Sequence, residues 1–332
     1  MSVNIQEQIR EILNQTSGVN LFFALKQEDG NIVIRQADLK DGDTQRNLKT
    51  QFLSLLQEDF LGEEELQVEE LSGADERNGV LYHYDMGEFP ECLRYFSEFD
   101  YKKDYPKFVF GKDDLIHLEA YIIVIGTQET HCVLYKRFYP VFLLGRGSFC
   151  LIPSKQRFEE LDREILRVSR DYQFIRAGSN IYIKDLKVLE KFGGFKSIIE
   201  KEASAAVDLI EGLNLLEESE ILRETLAQDL SFARKLCRAG RHSPVLSNHI
   251  PNETIIEFSK NYPGLSGQLR YNEEGNRILL TTKKSQKLFL KLLDDSYLVS
   301  QLTNLYYESS SKECVVKAFS TEQPEGASVS NP

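Results

Sequence analysis

Residues 116–126, IHLEAYIIVIG, and residues 131–145, HCVLYKRFYPVFLLG, decide the fold class of this chain. Both runs are rich in β-branched and aromatic side chains and are bounded by glycine and polar residues, which is the signature of strands. FCLIP (149–153), YQFIRAG (172–178) and NIYIKDLKVL (180–189) extend the pattern, so the middle of the chain, from about 107 to 192, reads as strand-rich. RFEELDREILRVSR (157–170) interrupts it. Its acids come first and its arginines last, an order that suits the macrodipole of a short helix. Gly145-Arg146-Gly147 reads as a hairpin turn between VFLL and FCLI, because a phosphate cradle would need a helix to follow it.

Working outward, the amino-terminal flank opens with MSVNIQEQIREILNQ, where Ile5, Ile9, Ile12 and Leu13 recur at helical spacing. LFFALKQ, the turn Glu28-Asp29-Gly30-Asn31 and IVIRQADL follow. Asp-Gly between apolar runs predicts a β-hairpin, since glycine tolerates the positive φ of a tight turn. Leu48, Phe52, Leu55 and Leu56 predict a second helix. The acidic run Glu63-Glu64-Glu65, with Glu69 and Glu70, reads as a solvated segment or as a docking surface for a basic partner. Beyond Gly193-Gly194, FKSIIEKEASAAVDLIEG and EILRETLAQDLSFARKLCRAG predict two helices, the second ending on Gly240 as a left-handed cap. TIIEFSK and RILLTTK predict a short strand pair, and SQKLFLKLLDD a last helix. The expected class is α/β of the mixed α+β kind, with a strand-rich middle flanked by helices and a smaller acidic amino-terminal α/β region.

The 332 residues suffice for a sizeable core, and 41% hydrophobic with 28% charged residues is the composition of a folded protein. Charge is unevenly spread. Residues 1–105 carry 10 Lys and Arg against 22 Asp and Glu, a net of −12, whereas residues 106–332 carry 30 of each. This step, beside the turn-rich Asp100–Pro106, predicts a boundary between an acidic region 1–105 and a second region 106–318, with a disordered tail 319–332. Five scattered cysteines without a CxxC pair point to a reducing, cytoplasmic compartment. His242 and His249 are the nearest histidine neighbours and miss metal-ligand spacing, so no metal or cofactor is expected. No apolar run approaches the roughly 20 residues of a membrane-spanning helix. The amino terminus also lacks the pattern of a secretory signal, and membrane contact is expected only through a partner.

No phosphate loop, dinucleotide fingerprint, HExxH, GxSxG or EF-hand pattern occurs. Asp185-Leu186-Lys187 has the spacing of a metal-dependent nuclease. On a strand, Asp185 and Lys187 would share a face, Asp185 binding Mg²⁺ and Lys187 steadying the attacking water, with Asp171 as a second ligand. Basic residues repeat at helical spacing in two places: Arg234, Lys235, Arg238 and Arg241, and Lys283, Lys284, Lys287 and Lys291. Such stripes can track phosphates by releasing condensed counterions.

The run 276–312, NRILLTTKKSQKLFLKLLDDSYLVSQLTNLYYESSSK, is the most distinctive of the chain. Leu292, Leu293, Asp294, Asp295, Tyr297, Leu298, Ser300, Leu302, Thr303, Tyr307 and Ser311-Lys312 make up its signature. LYKRFYPVFLL, RFEEL, NIYIKDLKVLEKFGGF and RKLCRAGRHSPVL add to it in that order. In these features the chain resembles the KwaB family, the soluble component of the bacterial Kiwa anti-phage defence system. The resemblance spans about 110 to 312, and the acidic region matches more loosely. It implies a cytoplasmic effector that works at the inner membrane with the multispanning protein KwaA. It also implies self-association as a homodimer or higher homo-oligomer, and binding of double-stranded DNA that blocks phage replication or gene expression. It supplies no catalytic residues. Asp294-Asp295, Ser300 and Thr303 read equally as a helix end and its caps. Three functions are thus carried forward: a DNA-binding effector whose contacts are the two basic stripes, a Mg²⁺-dependent nuclease at Asp171, Asp185 and Lys187, and a non-enzymatic adaptor whose stripes are buried in a protein interface.

Overall fold

The two apolar runs become neighbouring antiparallel strands, Leu118–Gly126 and His131–Arg137, with Ala120 facing Arg137 and Gly126 facing His131. The computed structural model describes residues 4–15, 18–62, 66–73, 79–145, 150–155, 157–161, 163–192 and 194–309. Within it, β1 (Gly18–Lys26), β2 (Ile32–Gln36), β3 (Gln67–Glu70), β4 (Val80–His83), β5 (Leu118–Gly126), β6 (His131–Arg137), β7 (Phe174–Ala177) and β8 (Asn180–Ile183) form one sheet in the order β2-β1-β5-β6-β7-β8-β4-β3. Every pairing is antiparallel except β3 with β4. Together with the helices this makes a mixed α/β fold. The Asp-Gly hairpin joins β1 to β2, with Gly30 at φ 85° and Asn31 N–H donating to Asp29 at 2.9 Å.

Side chains alternate across a strand, so Tyr121, Ile123 and Ile125 face one side of the sheet and Ile122 and Val124 the other. All five are buried, and both sides therefore need cover. On the first side the helices α1 (Ile5–Gln15) and α2 (Gly42–Leu61) deliver Ile5, Ile9, Ile12, Phe52, Leu56 and Phe60 into one core with Tyr121, Ile123, Leu134 and Ile175. On the second side Phe96 packs on Tyr135 and Phe174, ring centroids 5.3 and 6.2 Å apart, and Phe99 packs on Phe22 at 5.2 Å. Arg176 fixes that cover by donating to the carbonyls of Ser97, at 2.6 Å, and Phe99.

Both covers come from the first 105 residues. The charge step near residue 105 therefore falls inside one compact unit, Met1–Leu209 with Leu222–Arg241, while the second unit is Ile210–Ile221 with His242–Pro332.

Beyond the sheet lie α3 (Leu186–Phe192), α4 (Phe195–Gly212), α5 (Glu220–Gln228), α6 (Leu230–His242), α7 (Asn252–Asn261) and α8 (Lys283–Leu293). Four sequence expectations are corrected here. Residues 157–170 are not a helix: Arg157–Glu160 pairs with Leu151–Ser154, and Ile165–Leu166 with Leu143–Leu144. A macrodipole preference is worth at most about 1 kcal/mol at an exposed site, and ladder pairing with burial of Leu161 outweighs it. TIIEFSK is helical, because Ile255, Ile256 and Ser259 bury one face of α7. The long helix expected to end on Gly240 is two helices. Asp229 separates them, accepting the Phe232 N–H at 3.1 Å as a cap for α6. NIYIKDLKVL is strand only to Ile183 and helical from Leu186. Glu63-Glu64-Glu65, Arg146-Gly147 and the tail 319–332 lie outside the described residues.

Gly240 is therefore no cap. It lies inside α6, where a Cβ would stand 2.7 Å from that of Ala206 on α4. Gly240→Ala is expected to lower stability by about 1–3 kcal/mol through overpacking, and adding Ala206→Gly to recover part of the loss, as read by urea denaturation.

Candidate nucleic-acid interface

The helix α8 begins with a capping box: Thr282 Oγ1 accepts the Ser285 N–H at 3.1 Å, and Ser285 Oγ accepts the Thr282 N–H at 3.0 Å. Leu288, Phe289, Leu292 and Leu293 take the buried face, which leaves Lys283, Lys284 and Lys287 exposed over the first turns. None of the three makes an ion pair with another described residue. Lys291, one turn on from Lys287, is half-buried and paired with Glu308. Three cations thus stand at the positive end of the helix dipole, where two like fields attract an anion.

The other stripe is assembled differently. Phe232, Ala233, Leu236 and Cys237 are the buried face of α6, and Arg234 goes in with them at 4% exposure. Its guanidinium lies 3.1 Å from the Glu190 carboxylate of α3. Arg241 holds Glu202 through two bonds, at 2.6 and 3.0 Å, and the second Glu202 oxygen accepts the Gly87 N–H at 3.0 Å. Lys235 is exposed and Arg238 half-buried. The expectation of one solvent-facing row is corrected at Arg234, which is buried and ties α6 to α3, whereas Arg241 is exposed and its guanidinium ties α6 to α4. A signal for this was present, since Arg234 lies one turn from Leu230 and Cys237 on the apolar row. Its partner Glu190 is distant in sequence and carries no such mark.

The nuclease arrangement does not form as expected. Asp185 is not on a strand: its carboxylate accepts the Val188 N–H at 3.3 Å and starts α3, while Lys187 is exposed on the first turn of that helix. Strand alternation therefore does not align the two. Asp171 pairs with the buried Lys136. Among the described residues no group of three or more His, Cys, Asp or Glu is placed to hold a metal ion, and no helix is long and apolar enough to cross a membrane.

A family model described as Kiwa protein KwaB-like matches residues 115–303, a span that holds every candidate residue above. The chain is 30% identical over 320 residues to Kiwa protein KwaB of Escherichia coli O55:H7 (strain RM12579 / EPEC), covering 93% of this chain and 97% of that protein. No solved structure matches.

The contrast between the two stripes is measurable. Arg234→Ala leaves the half-buried Glu190 carboxylate without its partner and removes a buried side chain, and is expected to cost about 1–3 kcal/mol of stability. Lys287→Ala should stay within about 0.5 kcal/mol of wild type. Urea midpoints of the two variants check both.

Proposed function

The chain belongs to the KwaB family, and from that premise we propose that it is the DNA-binding component of a Kiwa anti-phage defence system, acting with the membrane protein KwaA to block phage replication or gene expression. The observation that carries the DNA reading is the set Lys283, Lys284 and Lys287, exposed and without an ion pair to another described residue at the capped start of α8. Lys235 and Arg238 supply further contacts from α6, and Lys291 one from the end of α8. In this reading Arg234 and Arg241 support the fold and meet no phosphate.

The duplex is held through its backbone phosphates, and the negative charge of residues 1–105 keeps DNA off that region. Docking on KwaA supplies the membrane location, and self-association supplies a second DNA-contacting surface. The nuclease alternative has no supporting geometry at Asp185 and Lys187. The adaptor alternative is separated from DNA binding by direct measurement.

Fluorescence polarisation with labelled double-stranded DNA across a salt series tests the reading. Binding is expected to weaken with a log–log salt slope of about −5 if the six cations each neutralise a phosphate. The variant carrying Lys283→Ala, Lys284→Ala and Lys287→Ala should lose about half of that slope. Absence of binding at low salt, or a slope indifferent to the three substitutions, would overturn it.

A further inference from the structure

The hairpin Leu151–Ser154 with Arg157–Glu160 is a two-stranded sheet with no third strand beside it among the described residues. Leu151, Ile152, Pro153, Arg157, Phe158, Glu159 and Glu160 are all exposed, so these side chains are not covered by the described residues. Phe158 is 71% exposed and Leu151 52%. An isolated two-stranded hairpin is at best marginally stable in water, and three or more strands with an apolar face are needed for more.

Its two edges are not equivalent. The Leu161 N–H donates to the Cys150 carbonyl at 2.8 Å, which makes that pair a hydrogen-bonded one. Antiparallel pairs alternate, so Ile152 with Glu159 is hydrogen-bonded and Pro153 with Phe158 is not. The backbone groups of Pro153 and Phe158 therefore point away from the hairpin, along its two outer edges. Proline has no N–H to offer and closes one edge. Phe158 presents both N–H and C=O and leaves the other open.

We propose that this open edge is a self-association surface, on which Arg157–Glu160 pairs antiparallel with the same strand of a second copy about a two-fold axis at Phe158. The proposal rests on the self-association within the proposed function and assigns a surface to it. The order Arg157-Phe158-Glu159 is self-complementary in this register. Phe158 exchanges two backbone hydrogen bonds with its counterpart, and each Arg157 faces the Glu159 of the other copy. The product is a four-stranded sheet whose one face carries Leu151, Pro153 and Phe158 from both chains. Leu144 and Ile165, which flank the hairpin in the chain and pair with one another, are each 39% exposed. A second copy is the occupant that fits, because an isologous contact needs a sequence complementary to itself.

The test is sedimentation equilibrium of the full chain as wild type, Arg157→Glu, Glu159→Arg and the double variant, with thermal melting to verify folding. Wild type is expected to dimerise. Each single variant places like charges opposite each other twice per dimer and should weaken dimerisation about tenfold. The double variant restores opposite charges and should return to within about twofold of wild type. A monomeric wild type, four proteins of equal affinity, or a double variant as weak as the singles would overturn the proposal. DNA binding of the same four proteins, measured at concentrations where each is monomeric, reads the functional proposal separately, since no DNA contact within one copy lies on this arm.

Discussion

The constraint on which the rest of the structure depends is the burial of β5, β6 and β7 on both faces. A strand that carries Ile and Val on alternate sides gains from burial only if each side meets another apolar layer. The chain meets that demand with its acidic amino-terminal part. Two helices close one face, and the aromatic segment around Phe96 and Phe99 closes the other. The negative charge of this part is therefore a property of its outer surface, while its inner surface is continuous with the core. Arg176 shows how closely the two are joined, since its guanidinium is spent on carbonyls of the covering segment.

The same economy governs the positive charges. In a chain of net charge −12, several cations are drawn into pairs that fasten helices to adjoining segments or to one another: Arg170 with Glu58, Lys184 with Asp59, Arg241 with Glu202. The pair of buried Arg234 with half-buried Glu190 is the extreme case, because a guanidinium buried at that depth without a partner would be costly. What remains for a polyanion are cations that the fold does not consume, and the start of α8 concentrates three of them beside a helix dipole. The start of α8 lies within the span that the KwaB-like family model matches.

Two elements of the fold show how a local preference yields to a tertiary one. The segment 157–170 has the charge order of a helix, yet its neighbours in the chain offer strands to pair with. Asp185 and Lys187 have a spacing that on a strand would align them, yet the strand stops at Ile183 and the carboxylate is used to start a helix. In both cases the decisive partner is a backbone N–H or C=O, which every residue type provides and no sequence pattern advertises.

The sequence by itself determined the mixed class, the helices α1, α2, α4 and α8, the Asp-Gly hairpin and the KwaB resemblance. Each of these is written in local periodicity, turn chemistry or a contiguous motif. Only the tertiary structure decided that residues 1–105 complete the central sheet, that α5 and α6 part at Asp229, and which basic residues face solvent. The first and the last of these depend on contacts between residues tens of positions apart, where Phe96 finds Phe174 and Arg234 finds Glu190. A helix periodicity assigns a residue to a face, but only the packed neighbour decides whether that face is wet.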